Sequence, residues 1–440
     1  MVAPLRVGLA GLGTVGSAVA RMLVESRDQL AERAGRPIDL VAFAAKDPPR
    51  DPKVDVSKLK KFDSPSALAM DSGIDVFVEL LGGEGDPAKS SVEAALGAGR
   101  AVVTANKALI ARHGNALAKL AEKSGASFAF EAAVAGGIPV VKTLREGLGG
   151  AKVGRVYGIL NGTCNYILTK MLTEQRSFAD CLKEAQRLGY AEADPTFDIG
   201  GFDTAHKIAI LTSLAFGTEI DVEAVHVEGI ETITLADLQA AGELGYKIKL
   251  LGVASRTDAG IEQRVHPTMV PKGSVIGGVD GVLNAVAIDS DAMGLVLVGP
   301  GAGGPATSAS VVADLVDLAC GRTSPALGRA AARLAKPTRA PIQRHEGGYY
   351  IRLAALDRPG TMAAIAKAMA AENISLESIV QRHETARPHG GDDPKSAAGP
   401  ATVILITYAT NEDAVRRALA VIEREGVVAE APQLIRIEKS

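Results

Sequence analysis

Residues 5–16 read LRVGLAGLGTVG, an apolar run that ends in Gly11-Leu12-Gly13-Thr14-Val15-Gly16. An apolar strand, a G-x-G-x-x-G turn and an amphipathic helix are the parts of a dinucleotide-binding βα unit. Gly11 permits the tight turn, Gly13 lets a pyrophosphate approach the backbone, and Gly16 lets helix and strand pack closely. Leu12, Thr14 and Val15 complete the loop, whose helix N-terminus offers free N–H groups to phosphate. A glycine-rich turn that binds nothing is the bland alternative.

Outward from this stretch, apolar runs at 38–44, 75–81, 101–104 and 127–131 alternate with helical patterns. Near-continuous apolar strands between helices predict a parallel sheet covered on both faces. Residues 1–135 are therefore read as a Rossmann-type, doubly wound α/β domain. Residues 136–304 predict a mixed α+β domain for catalysis and dimerisation. It has a long helical stretch after Gly136-Gly137, a strand at 153–160, helices between 166 and 216, and strands at 263–270 and 281–288. The GPGAGG cluster at 299–304, with Gly301 inside it, suits close backbone approach to a ligand. A helix at 305–320 is expected to complete the first domain.

The polar, Pro-containing stretch 336–347 reads as a linker. Residues 348–440 then run β-α-β-β-α-β, the order of a ferredoxin-like split βαβ unit. Between its middle strands, 384–399 is rich in Pro, Gly, Asp and Ser and reads as an insertion.

Composition narrows the function. Of 440 residues, 48 are Lys or Arg and 51 Asp or Glu, a net charge of −3. That balance offers a polyanion no footprint, so nucleic acid is not expected as the main partner. No apolar stretch reaches the roughly 18 residues of a membrane span, and the N-terminus lacks the parts of a signal peptide; a cytoplasmic location is expected, with no membrane partner. Three scattered cysteines, Cys164, Cys181 and Cys320, do not make a disulfide framework or a zinc site.

The second predicted strand ends Ala44-Ala45-Lys46-Asp47. An acidic residue there selects a ribose 2′-hydroxyl, whereas a cation suits a 2′-phosphate. Lys46 therefore favours NADP, and Asp47 keeps NAD possible. Thr104-Ala-Asn-Lys107 follows the fourth strand, at the carboxyl end of the sheet where ligands bind; Lys107 is thus a candidate at the nicotinamide end. The segment 189–207 places Glu192, Asp194, Asp198 and Asp203 within twelve positions, then His206 and Lys207. Asp203 and Lys207 are four apart and share a helix face. A Lys entering an apolar helix beside several carboxylates is a candidate for positioned proton transfer; a first-turn Asp paired with a solvated Lys is the plain alternative.

These motifs together resemble homoserine dehydrogenase from about residue 6 to 318, with an ACT-type regulatory domain from about 349. The matching pieces are GLAGLGTVG (8–16), TANKALIA (104–111), EAAVAGGIP (131–139), LNGTCNYIL (160–168), GYAEADPTFDIGGFDTAHK (189–207), VHPTMVP (265–271) and GPGAGG (299–304). The resemblance implies reversible reduction of L-aspartate 4-semialdehyde to L-homoserine by NAD(P)H. It makes Lys207 the proton donor, with Asp203 orienting it or holding substrate. It also makes Glu192 and Asp198 substrate-holding acids, and places Lys107 near cofactor and substrate. It implies a monovalent cation, sodium, held by Glu131 and the carbonyls of Val134, Gly136 and Ile138. In the C-terminal unit it implies an amino-acid effector, threonine, at the turn Asp357-Arg358-Pro359-Gly360, and a homodimer or homotetramer. Cys164 stands where the family usually has Thr. A chain cut near Lys336 is expected to keep the activity and lose the regulation.

Three other classes compete. An aspartate-semialdehyde dehydrogenase needs a nucleophilic Cys beside a base. A hydroxy-acid dehydrogenase would use His206, which lies about 100° around the helix from Lys207. A non-enzymatic amino-acid sensor would leave the glycine motif and both lysines without purpose.

Overall fold

The structure, a computed structural model, describes residues 2–342, 345–382 and 400–438. The expected insertion at 384–399 lies outside the described residues.

The first part of the chain runs β1 (Leu5–Ala10), α1 (Thr14–Glu25), α2 (Arg27–Ala34), β2 (Ile38–Ala44), β3 (Lys60–Phe62), α3 (Pro65–Ala69), β4 (Val76–Glu79), α4 (Ala88–Gly97), β5 (Ala101–Thr104), α5 (Lys107–Ser124) and β6 (Phe128–Ala129). These strands form one parallel sheet in the order β3-β2-β1-β4-β5-β6. That is the dinucleotide-binding order 3-2-1-4-5-6, whose strand order reverses beside β1 and opens a crevice there. Val7, Leu9, Val76, Val78, Val102 and Val103 are fully buried because helices cover both faces. The edge strand β3, with Lys60 and Lys61, was not anticipated: it is short and half-exposed.

The chain continues through α6 (Val140–Lys142), β7 (Val153–Ile159), α7 (Gly162–Glu174), α8 (Phe178–Arg187), α9 (Thr196–Ile199), α10 (Phe202–Phe216), β8 (His226–Val227), α11 (Leu235–Glu243), β9 (Tyr246–Thr257), β10 (Gly260–Pro271), β11 (Leu283–Ser290), β12 (Gly294–Pro300) and α12 (Gly304–Ala319). The expected long helix after Gly137 is instead a single turn, α6, and a five-residue π-turn at Thr143–Gly147. Helix α12 returns to the first domain. Its Val311, Val312, Leu315 and Val316 share a core with Val19, Ala20 and Leu23 of α1.

The last part runs β13 (Glu346–Ala355), α13 (Thr361–Ala371), β14 (Leu376–Arg382), β15 (Ala401–Thr407), β16 (Thr410–Asn411), α14 (Glu412–Arg424) and β17 (Gln433–Ile437). Its strands do not form a sheet of their own. One sheet runs β12-β11-β7-β9-β10-β17-β13-β15-β14, because β17 pairs in parallel with β10 at Thr268–Arg436 and Met269–Ile437. The stretch read as a linker also lies on the catalytic unit: Ile261 N–H donates to Thr338 at 2.8 Å, and Ala340 N–H donates to Ile261 at 3.0 Å. The C-terminal unit is therefore built onto the catalytic sheet.

Candidate active site

The glycine loop is shaped by contact distances. Gly11 has φ +94°, and a Cβ there would lie 2.6 Å from the Leu80 carbonyl oxygen. A Cβ on Gly16 would lie 2.0 Å from the Gly11 oxygen, so α1 sits directly on the turn. A Cβ on Gly13 would meet nothing within 4 Å. Gly13 thus faces open space, where a pyrophosphate has room. The cleft beside it, about 570 Å³, is lined by Gly11, Leu12, Gly13, Lys46, Asp47 and Arg50. Thr14 and Val15 open α1, and Gly304 packs against Thr14 from the far side.

The lysines and carboxylates converge where α5 of the first domain meets α10 of the second. Asn106 caps α5 by accepting the Leu109 N–H, which fixes Lys107 as its first residue. Thr104 is buried and donates to Glu79 at 2.5 Å. Asp203, 3% exposed, holds Lys207 Nζ at 2.7 Å and Lys107 Nζ at 2.8 Å, one on each oxygen. Lys207 also donates to the Leu160 carbonyl at 2.7 Å. Burial alone would raise the Asp203 carboxyl, but the two ammonium groups outweigh it and hold Asp203 well below the usual carboxylate range. Burial, only partly offset by Asp203, holds Lys207 below the ordinary lysine value of 10.5. Asp203 raises Lys107 instead. Two ammonium groups on one buried carboxylate, one poised to give up its proton, are suited to charging and discharging an oxygen atom.

Asp198 is drawn into the same centre through Asn161, whose Nδ2 donates to Asp198 at 2.8 Å and to Asp203 at 2.9 Å. Burial first, and the Asp203 charge second, push Asp198 up. Glu192 is exposed at the lip, where its charge reaches Lys107. Gly301 has its oxygen against Gly136 and its Cα against the buried Asn284 amide. His206 packs edge-on against the Phe197 ring, 5.3 Å between centroids, the ring over which Lys107 Nζ also stands at 5.9 Å, and burial lowers its pKa. Cys164 is fully buried, its thiol pushed well above the ordinary value by burial and by Asp198, with Sγ against the Asp198 carbonyl at 3.3 Å. A thiol kept neutral in this way is a poor nucleophile.

The region 139–316 matches the family model "Homoserine dehydrogenase", and 11–131 matches "Homoserine dehydrogenase, NAD binding domain". A homoserine dehydrogenase of Pseudomonas aeruginosa is 44% identical over 432 residues, 96% of each chain. The chain belongs to the homoserine dehydrogenase family. It is thus an NAD(P)-dependent oxidoreductase acting on a CH–OH group. A homoserine dehydrogenase from Thiobacillus denitrificans superimposes with a TM-score of 0.91 at 41% identity, covering 99% of both chains. A hyperthermophilic archaeal homoserine dehydrogenase solved with NADPH has a TM-score of 0.61 at 28% identity. It covers 97% of its own chain but 72% of this one.

In this homoserine dehydrogenase family member, Glu131 lies apart from the lysine centre. Its carboxylate, 2% exposed, accepts the N–H groups of Val141 at 2.9 Å and Lys142 at 2.8 Å. Burial and neighbouring Asp314 push it up to about 7. Val134 and Ile138 are buried beside it; Gly136, at φ +52°, turns its carbonyl to the Ser310 hydroxyl at 2.7 Å. The turn Asp357–Gly360 is elsewhere: exposed, at the end of β13 remote from Glu346, with Arg358 donating to Gly426 at 3.0 Å. Asn161 was not singled out from the sequence. Its position before α7, three residues ahead of the Cys164 N–H that it caps at 2.8 Å, was the available signal.

Proposed function

We propose that this enzyme interconverts L-homoserine and L-aspartate 4-semialdehyde, with NADP preferred and Lys207 as the group that carries the proton. The observation that carries this reading is the Lys207–Asp203–Lys107 triad around one buried carboxylate at the domain boundary; Lys107 follows Asn106, whose amide donates to Gly83 next to the crevice residues Leu81 and Gly82. When bound, a nicotinamide cofactor supplies or accepts the hydride. The chain's own residues manage the oxygen. In the reducing direction protonated Lys207 gives its proton to that oxygen, and Lys107 adds a second positive charge as the oxygen turns negative. Asp203 keeps both ammonium groups aimed at one point. Asp198 and Glu192 offer carboxylates to the substrate's α-ammonium. Gly11–Gly16, Thr104 and Gly301 bound the cofactor space, and Lys46, beside Arg50 in the same cleft, suits a 2′-phosphate. The test is homoserine-dependent reduction of NADP and of NAD: a higher kcat/KM for NADP supports the assignment.

A monovalent cation, sodium by its donor chemistry, fits the segment around Glu131. Three carboxylates, Glu131, Asp314 and Asp317, stand there; Lys142 Nζ lies 3.1 Å from Asp314 and 2.6 Å from Asp317, and Arg322 Nη1 lies 3.2 Å from Asp317. Glu131 with the carbonyls of Val134, Gly136 and Ile138 would hold it.

The C-terminal β-α-β-β-α-β unit supports a regulatory reading as an ACT-type domain, with threonine as effector at Asp357–Gly360. Threonine titration of the wild type and of Asp357→Ala tests it, with inhibition lost in the variant. Edge strand β12, with Val296 41% and Val298 47% exposed, supports assembly into at least a homodimer, in the cytoplasm.

A further inference from the structure

Between the lysine centre and the C-terminal unit runs a short strap of chain, residues 226–230. Its first two residues are β8, paired with β10 at Arg264–His226 and Val265–Val227. Glu228 N–H donates to the Val265 carbonyl at 2.8 Å, and Ile230 N–H donates to the Ile199 carbonyl at 2.9 Å. The strap touches the loop 199–201 backbone to backbone. A Cβ on Gly229 would lie 2.5 Å from the Ile199 oxygen and 2.8 Å from Gly200 Cα. A Cβ on Gly201 would lie 3.1 Å from a Val227 methyl. That loop is bounded by Asp198 on one side and Asp203 on the other.

The outer side of the strap is gripped by the C-terminal unit. The Glu228 carboxylate takes Arg436 Nη1 at 2.8 Å and Nη2 at 3.0 Å. It also takes His226 Nε2 at 2.8 Å and Arg416 Nη2 at 3.3 Å. Arg436, 1% exposed, is itself fixed by the fully buried Glu412 through Nε at 2.7 Å and Nη2 at 2.6 Å. A planar guanidinium held by two carboxylates has little freedom to swing, so it sets where Glu228 stands. A second ionic link across the junction, Arg352 Nε to Asp237 at 2.7 Å, ends on α11 and does not touch the loop.

We propose that Arg436, acting through Glu228 and the backbone of Gly229, is a positioning residue for Asp198 and Asp203. The C-terminal unit then helps set the acid geometry of the reaction, in addition to any effector it binds. The inference rests on the reading of Asp198 as a substrate-side acid and of Asp203 as the carboxylate that aims the two lysines.

The test compares Glu228→Gln, Glu228→Asp, Gly229→Ala and Arg352→Gln in the full chain, with steady-state kinetics for both substrates and Tm. Gly229→Ala removes no charged group: its methyl meets the Glu231 carboxylate at 2.0 Å, the far end of a flexible side chain that can swing aside, and the loop backbone at 2.5 Å, which cannot. Misplacing acids by a fraction of an ångström is expected to lower kcat/KM for homoserine about ten- to hundred-fold. The KM for NADP, bound by the other domain, stays within about two-fold. Glu228→Gln shows the same split, and Glu228→Asp, which keeps the charge, recovers part of it. Arg352→Gln lowers Tm without the split. The proposal is overturned if Gly229→Ala and Glu228→Gln both keep wild-type kcat/KM for homoserine. It is equally overturned if their losses fall on both substrates and follow Tm as in Arg352→Gln. A wild-type chain that does not oxidise homoserine refutes the reading of the reaction instead. The strap is then judged by amide exchange at 199–204, which must quicken in Glu228→Gln and Gly229→Ala; unchanged exchange overturns it.

Discussion

Asp203 is where this structure departs most from what spacing alone implies. An i,i+4 Asp and Lys on a helix are ordinarily a weak surface pair. Here the carboxylate is buried and serves two lysines from different domains. Asp203→Asn therefore leaves Lys207 buried without the carboxylate it is bonded to, with only Asp198 nearby, and removing one partner of a buried pair costs about 3–5 kcal/mol. Denaturant unfolding should register that loss, and activity should fall in the same direction as in Lys207 variants but less far, since Asp203 aims the proton carrier and does not carry the proton. The Asp203 carboxyl is depressed in the folded state, so its contribution to stability is present above the unfolded carboxyl value. It is lost as pH falls through the folded one. The lowered lysine has a kinetic counterpart. Homoserine oxidation needs Lys207 neutral to take the proton, so kcat should rise with pH to a plateau. Its midpoint should lie below the ordinary lysine value of 10.5. A pH–rate profile checks this, and a midpoint at or above that value would separate Lys207 from the proton step.

Among the elements, the β1–α1 turn makes the sharpest structural statement. Gly16→Ala drives a methyl group into the Gly11 carbonyl, 2.0 Å away, and should destabilise the domain. Gly13→Val points into open space. It should leave Tm nearly unchanged while raising the KM for NADP, as binding measurements on both variants can show. Lys46→Ala should raise the KM for NADP and leave that for NAD nearly unchanged. The first domain was legible because its buried strands are plain apolar runs broken by glycine turns. Strand β9 was not. Its Lys247 and Lys249 read as polar, yet Lys249 is 2% exposed, bound to Asn165 at 2.9 Å, Val279 at 2.6 Å and Asp280 at 2.9 Å. Those partners come from two distant segments, α7 and residues 279–280, and no local pattern announces them. Strand β12 was hidden for another reason: it is a half-exposed edge that runs into the GPGAGG loop. In the site, Asp203, Lys207 and Lys107 stood out by type and spacing. The link through Asn161 did not, because it depends on α7 and α10 meeting in space.

On the scale of the whole molecule, the continuous sheet changes what truncation does. Cutting near Lys336 removes β17, which strips the edge of β10 and leaves charged groups without partners. Arg264 and Arg155 lose Glu438, at 2.7 and 2.5 Å; Asp237 loses Arg352; Glu228 loses Arg436. The truncated chain should therefore be less stable and prone to associate through the bared strand, as light scattering and thermal melts can show. Homoserine oxidation by the same truncated preparation tests the sequence-based expectation that activity survives the cut. The central claim is that the triad of Lys207, Asp203 and Lys107 moves the proton while the glycine cleft holds the cofactor. One comparison tests it most directly: NADP reduction by homoserine in wild type and Lys207→Ala, with NADP affinity measured on the same preparations. The account predicts a kcat lower by about two to four orders of magnitude in the variant, with NADP binding unchanged. A variant that turns over at close to the wild-type rate would contradict it.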